Sequence, residues 1–236
     1  MKILALDSTA QVATVALCED ERLLGEYTIN NGNTHSETLL PMVESILKFF
    51  DLTPREIDLF AASEGPGSFT GVRIGAATVK GLAFNSQKPC IGVSTLEALA
   101  YNLQGFDGIL CPVMNARRKQ VYTAIFEQNG ENLTRLLPDS AISIAELDEL
   151  LAEYPAPIYL AGDGYEITAE NLKKTVPLPT PERLRHQSAY SVAQVAYRKY
   201  LGGDRTTDSQ MAPSYLRPCQ AERERAEREK QQSENQ

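Results

Sequence analysis

Apolar positions recur along this chain with two different periods. "KILALDST" and "VATVALCED" are apolar runs separated by a short polar turn, and "RLLGEYTIN" follows as a third. Three such runs in succession predict an antiparallel meander. The period then changes. In "THSETLLPMVESILKFFD", Leu39, Leu40, Val43, Ile46, Leu47 and Phe50 recur at helical spacing, with Thr34 or Ser36 as the cap. Pro41 has no N–H to give, so the helix is expected to begin in effect there. "IDLFAASEGPG" predicts a strand running into a glycine loop, and "GVRIGAATVKGLAFNSQ" a helix of small residues. "KPCIGVS" predicts a strand and "STLEALAYNLQ" a helix capped by Ser94 or Thr95.

The second half repeats this order more loosely. "GILCPVMNA", "QVYTAIFEQ" and "ENLTRLLPD" read as strands, and "SIAELDELLAEY" as a helix with Ser143 and Glu146 spaced as a capping box. "APIYLAGDG" reads as a strand, "YEITAENLKKT" as a helix, and "SAYSVAQVAYRKYLGG" as a helix stopped by Gly202 and Gly203. Three strands followed by α/β units, twice over, predict two related lobes, each a mixed sheet covered by helices. The expected divisions are 1–104, 105–217 and a charged tail, 218–236. The tail has no apolar face and is expected to be solvated or disordered.

Composition narrows the function classes. The chain has 236 residues, 42% of them hydrophobic and 23% charged, with a net charge of −8. Phosphate-backbone binding needs Lys and Arg, so a chain acting alone on nucleic acid is disfavoured. A subunit of an assembly in which another chain grips RNA is not. Cysteines at 18, 90, 111 and 219 form no C-x-x-C pair and no metal spacing. They read as reduced thiols in a cytoplasmic protein. "MKILALDSTA" does not read as a signal peptide, and no run is long enough for a membrane span. His35 and His186 are far apart in sequence, and no other ligand types cluster with either.

Three stretches carry candidate chemistry. "EGPGSFTGVRIG" is not a P-loop, because G-x-x-x-x-G-K-[ST] is absent. Its glycines do not match the dinucleotide fingerprint, and Ser68 lacks the flanking glycines of a nucleophile elbow. Gly65 and Gly67 read either as a phosphate cradle or as a tight turn, with Gly75 and Gly81 letting the helix pack closely. Asp7, Ser8 and Thr9, at the end of the first strand, could meet a phosphate or Mg²⁺, or make a polar hairpin turn. Arg117, Arg118 and Lys119 form a basic hairpin tip, which reads as a solvated turn or as a contact with RNA.

"ILALDST…VALC", "GPGSFTGVRIG", "GVSTLEALA", "NARRKQVY" and "YLRP" together resemble the TsaB (YeaZ) family over residues 1 to about 217. The resemblance implies a two-lobed α/β fold of the actin-like, sugar-kinase (ribonuclease H-like) type. It implies an accessory role in tRNA threonylcarbamoyladenosine biosynthesis beside its paralogue TsaD. TsaD moves threonylcarbamoyl from threonylcarbamoyl-adenylate to the adenosine next to the anticodon. The implied partners are a TsaD homologue, the ATPase TsaE and, through the complex, tRNA. A homodimer is expected when the chain is alone, and no membrane contact is. TsaD carries a His-x-x-x-His metal pair where this chain has Thr95 and Leu99. TsaD also has a Ser-Gly-Gly turn where this chain reads "VMNARRKQ", and the family often has an acidic residue at Asn115. Hence no catalytic residue, metal or cofactor of its own is expected, with ATP or ADP left open at the complex interface. The implied nucleotide contacts are Asp7, Ser8, Thr9, Gly65 and Gly67. The implied partner surface is the first two helices, through Leu39, Met42, Val43, Ile46, Gly71, Gly75 and Ala76. The alternative is a weak nucleotide hydrolase or small-molecule kinase using Asp7 and the glycine loop. A peptidase is opposed by the missing His pair and the missing nucleophile elbow.

Overall fold

The computed structural model describes residues 1–32 and 34–217; the charged tail lies outside the described residues. Strands β1 (Lys2–Asp7), β2 (Ala13–Glu19) and β3 (Arg22–Ile29) form the expected meander. Strands β4 (Leu59–Gly65) and β5 (Cys90–Ser94) add in parallel, giving the order β3-β2-β1-β4-β5. Successive side chains of β1 go to opposite faces, as strand geometry requires. Leu4 and Leu6 join one core, Ile3 and Ala5 the other. Burial on both faces explains why β1 reads as an unbroken apolar run.

Helices α1 (His35–Phe49) and α2 (Phe69–Ala83) cover the Leu4 face. Helix α1 begins at His35 rather than at Pro41, which sits inside it. Leu39 and Met42 bury against the sheet, and the His35 Nε2–H donates to the Ala10 carbonyl at 2.7 Å. His35 and Leu39 thus anchor the turn that precedes the proline. Thr34 occupies the N-cap position, but its side chain makes no capping bond.

The second sheet repeats the theme, with order β8-β7-β6-β9. Strands β6 (Gly108–Asn115), β7 (Gln120–Asn129) and β8 (Asn132–Ser143) form a meander, and β9 (Ile158–Ala161) adds parallel to β6. Helices α4 (Ile144–Leu151) and α5 (Tyr165–Asn171) cover one face. Ser143 caps α4 by accepting from the Glu146 N–H at 3.1 Å.

Helix α3 (Thr95–Tyr101), capped by Ser94, lies between the lobes. Ala98 packs on the first sheet, while Leu96 and Leu99 join the core of the second. The Ser94 hydroxyl also donates to Asp139 of β8 at 2.5 Å, and Arg135 bridges Glu97 at 3.1 Å. This is the two-lobed actin-like architecture that the resemblance implied. Sequence order and lobe membership part company at one element. Helix α6 (Ala189–Leu201), which sequence order assigned to 105–217, packs on the Ile3 face of the first sheet. Ala189, Val192, Ala193 and Ala196 let it lie close, and Glu26 of β3 accepts from Ser188 Oγ and the Tyr190 N–H at its start. A carboxylate at a helix N-terminus is favourable for the exposed N–H groups there.

Candidate functional site

A cleft of about 500 Å³ opens between the lobes. The β1–β2 turn and the glycine loop form one wall, and the β6–β7 turn forms the other. The C-terminal segment Ser214–Arg217 runs along its rim. Thr9, Gly67 and Ser68 face Asn115, Arg117 and Asp163 across it.

The sequence-predicted residues are brought together, but in unequal roles. Thr9 and Gly67 line the cleft, whereas Asp7 is 1% exposed. Its Oδ1 accepts from the Thr9 N–H and hydroxyl, both at 2.7 Å, and its Oδ2 accepts from Ser63. Burial pushes the Asp7 carboxyl above its usual range, and the bonds from Ser63 and Thr9 offset this in part. Asp7 therefore braces the turn instead of presenting a carboxylate to a ligand. Ser8 is also inward: its hydroxyl donates to the Gly71 carbonyl at 2.8 Å. A Cβ on Gly65 would stand 2.5 Å from the Ser214 carbonyl oxygen, and one on Gly67 2.7 Å from Thr9 Cβ. Glycine is needed at both places for close approach of protein to protein.

The partner-surface expectations need correction at the level of single residues. Leu39, Met42, Val43 and Ile46 are core: they pack on Leu4, Leu6, Val15 and Phe60. Gly71 and Gly75 lie against Ser8, and Ala76 is buried beside them. The face that α1 and α2 turn to solvent is built from other residues. Leu40 is 46% exposed, Phe49 75% and Phe84, which ends α2, 77%. On α2, the exposed Ala77 and Gly81 leave little bulk outward.

Asp163 was not singled out from the sequence. It follows β9, and its carboxylate is open to the cleft while its Oδ1 accepts from the Asn115 N–H at 3.1 Å. Enough protein surrounds it that burial raises its pKa, and the nearby charge of Asp7 adds to the rise. An acidic residue just past a strand's C-terminal end, in "LAGDG", was the available signal. Tyr215 and Arg217 of "YLRP" are the other additions. Tyr215 stacks on Phe69 at 4.7 Å and accepts from Arg73 Nε at 2.8 Å, and Arg217 reaches the Ala116 carbonyl at 3.5 Å. They tie the end of the described chain to both lobes. Thr95 and Leu99 are both buried, and Met114 lies in the core of the second lobe. Among the described residues no cluster of three His, Cys, Asp or Glu side chains is placed to hold a metal ion. The cleft can therefore offer a ligand hydroxyls, backbone amides, one carboxylate and the Arg117 guanidinium.

Comparison with known proteins adds to this geometry. Residues 23–222 match the family model of the tRNA N6-adenosine threonylcarbamoyltransferase TsaD. The tRNA threonylcarbamoyladenosine biosynthesis protein TsaB of Bacillus subtilis is 36% identical over 162 residues, covering 69% of this chain and 71% of that one. The protein of the same name from Escherichia coli is 27% identical over 92% of this chain and 95% of its own. The solved structure of YeaZ from Pseudomonas aeruginosa superposes with a TM-score of 0.77 at 25% identity, covering 91% of this chain and 99% of that one.

Proposed function

The chain belongs to the TsaB (YeaZ) family, and from that premise we propose that it serves tRNA threonylcarbamoyladenosine biosynthesis as a subunit without a catalytic centre of its own. Its role is to bind and activate a TsaD homologue, with a TsaE ATPase completing the assembly in the cytoplasm. The observation that supports this reading best is the set of large apolar side chains that α1 and α2 leave exposed. Leu40, Phe49 and Phe84 are large apolar side chains left in water on two adjacent helices. Large apolar side chains exposed along a helix pair are a usual mark of a protein interface. The same face serves a homodimer when the partner is absent. ATP or ADP, if present in the assembly, sits in the cleft against Thr9, Gly67 and Arg117.

The test is reconstitution. The purified chain alone transfers no threonylcarbamoyl group, and adding it to the TsaD and TsaE homologues of the same organism raises transfer to tRNA. Transfer by those two proteins at the same rate without this chain removes the proposal.

A second reading, a weak nucleotide hydrolase or small-molecule kinase, has one observation in its favour. Asp163 presents a carboxylate of raised pKa to the cleft, as a general base would. Steady ATP turnover by the isolated chain, abolished by Asp163→Asn, would establish it.

A further inference from the structure

We propose that the β6–β7 turn, Arg117–Lys119, is a contact for the phosphate backbone of RNA at the mouth of the cleft. This rests on the reading above, since it supplies the assembly with an RNA-binding element on this chain. Three observations carry it. First, the charge is local and unmatched. In a chain of net charge −8, Arg117, Arg118 and Lys119 stand together, exposed, and no salt bridge neutralises any of them among the described residues. Arg217 brings a fourth cation beside them, through its bond to the Ala116 carbonyl. Second, the backbone of all three residues is left-handed, with φ of 64°, 53° and 57°. That region is unfavourable for side chains with a Cβ, and a hairpin tip shaped only for folding would take glycine or asparagine there. Three long cationic side chains stand there instead. Third, the turn is held in shape from behind. Asn115 Oδ1 accepts from the Arg117 N–H at 2.8 Å. The Arg117 and Lys119 carbonyls accept from the N–H groups of Gln120 and Ile144 at 3.0 and 3.1 Å. Among the described residues the N–H groups of Arg118 and Lys119 make no protein bond. The tip thus leaves three exposed cations and two unpaired backbone donors within three residues, the combination that holds a chain of phosphates.

The experiment uses the triple variant Arg117→Asn, Arg118→Asn and Lys119→Asn, because asparagine tolerates left-handed backbone and keeps the turn. The probe is an unmodified transcript of a tRNA with adenosine beside the anticodon. Affinity is measured against salt for the reconstituted assembly and, at low salt, for the isolated chain. A fluorescent ATP analogue is titrated in parallel. The variant assembles normally, binds tRNA about tenfold more weakly at moderate salt, and shows a salt dependence shallower by about 2 to 3 in logarithmic slope. Unchanged tRNA affinity and slope in the variant overturn the inference, as does a loss confined to the ATP analogue. A wild-type chain that binds tRNA in neither arm also overturns it. A wild-type chain that binds tRNA through these residues yet joins no TsaD homologue sustains the inference and overturns the proposed function instead.

Discussion

Ser8 and Gly71 clasp the first hairpin to helix α2. The Ser8 hydroxyl donates to the Gly71 carbonyl at 2.8 Å, and a Cβ on Gly71 would overlap the Ser8 carbonyl oxygen. One turn further on, a Cβ on Gly75 would lie 2.8 Å from the Ser8 hydroxyl. The glycine-rich stretch is thus a seam between two backbones within one lobe.

Gly71→Ala is expected to destabilise the chain by about 1–3 kcal/mol, because backbone rather than a movable side chain stands in the way. Gly81→Ala is its contrast. Gly81 is exposed in the last turn of the same helix, with nothing within 4 Å of an added methyl. It should gain up to about 1 kcal/mol from helix propensity. Urea unfolding reads both. The Gly81 variant has a second readout: if a partner approaches α2 closely, the stabilised chain binds its TsaD homologue more weakly.

Met42 and Leu40 separate core from surface on α1. Met42 is 4% exposed and packs in the first lobe's core. Met42→Glu buries an unpaired charge and is expected to cost on the order of 3–5 kcal/mol. Leu40→Glu and Phe49→Glu fall on the solvent side and should stay within about 0.5 kcal/mol of wild type. Either should nevertheless weaken binding to the TsaD homologue by about tenfold or more, as loss of an interface anchor does. Calorimetric titration beside thermal unfolding distinguishes the two classes.

Asp7→Asn tests whether Asp7 braces the turn or serves a ligand. Burial raises the folded-state pKa of Asp7 above its unfolded value. Ionised Asp7 therefore opposes folding at neutral pH, and the penalty fades as pH falls through the folded pKa toward the unfolded one. Asparagine keeps the acceptor for Thr9 without the charge. The variant should match or exceed wild-type stability at pH 7, with the difference narrowing by about pH 4. Unfolding curves at the two pH values measure it.

Asp148 shows the opposite sign. Burial pulls its pKa upward, but the N–H groups of Lys173, Lys174 and Thr175 donate to it and bring the net shift below the usual range. Its contribution is present above the unfolded pKa of a carboxylate and is lost as pH falls toward the folded one. Asp148→Ala leaves these donors unpaired and should cost about 1–3 kcal/mol at pH 7. The gap between variant and wild type should close in strong acid. A gap that stays constant with pH would show that the loss is one of packing alone.

Local pattern alone determined much of this protein. The order of strands and helices follows from runs and periods of apolar residues and the turn residues between them, and Ser94 and Ser143 cap their helices because a cap bonds three residues ahead on the same chain. What a residue meets across the fold is not a local property. Leu39, Leu40, Met42, Val43, Ile46, Leu47, Phe49 and Phe50 cover about half of the circumference of α1, with Leu40 and Phe49 at its opposite edges, and periodicity alone does not say how wide a strip of that arc the sheet covers. Tertiary packing sorted them, leaving Leu40 and Phe49 outside. The sequence left Asp7 open as either a ligand contact or part of a polar turn, and the fold decides it because Thr9, close in sequence, and Ser63, on β4, occupy both its oxygens. Asp163 was obscure for the converse reason: it becomes a cleft residue only when the second lobe faces the first. Helix α6 shows the same limit on a larger scale. Its small apolar face gives no sign of which sheet it meets, and only the fold brings it onto Ile3, Ala5 and Ile91 with its first turn bonded to Glu26, more than a hundred residues earlier in the chain.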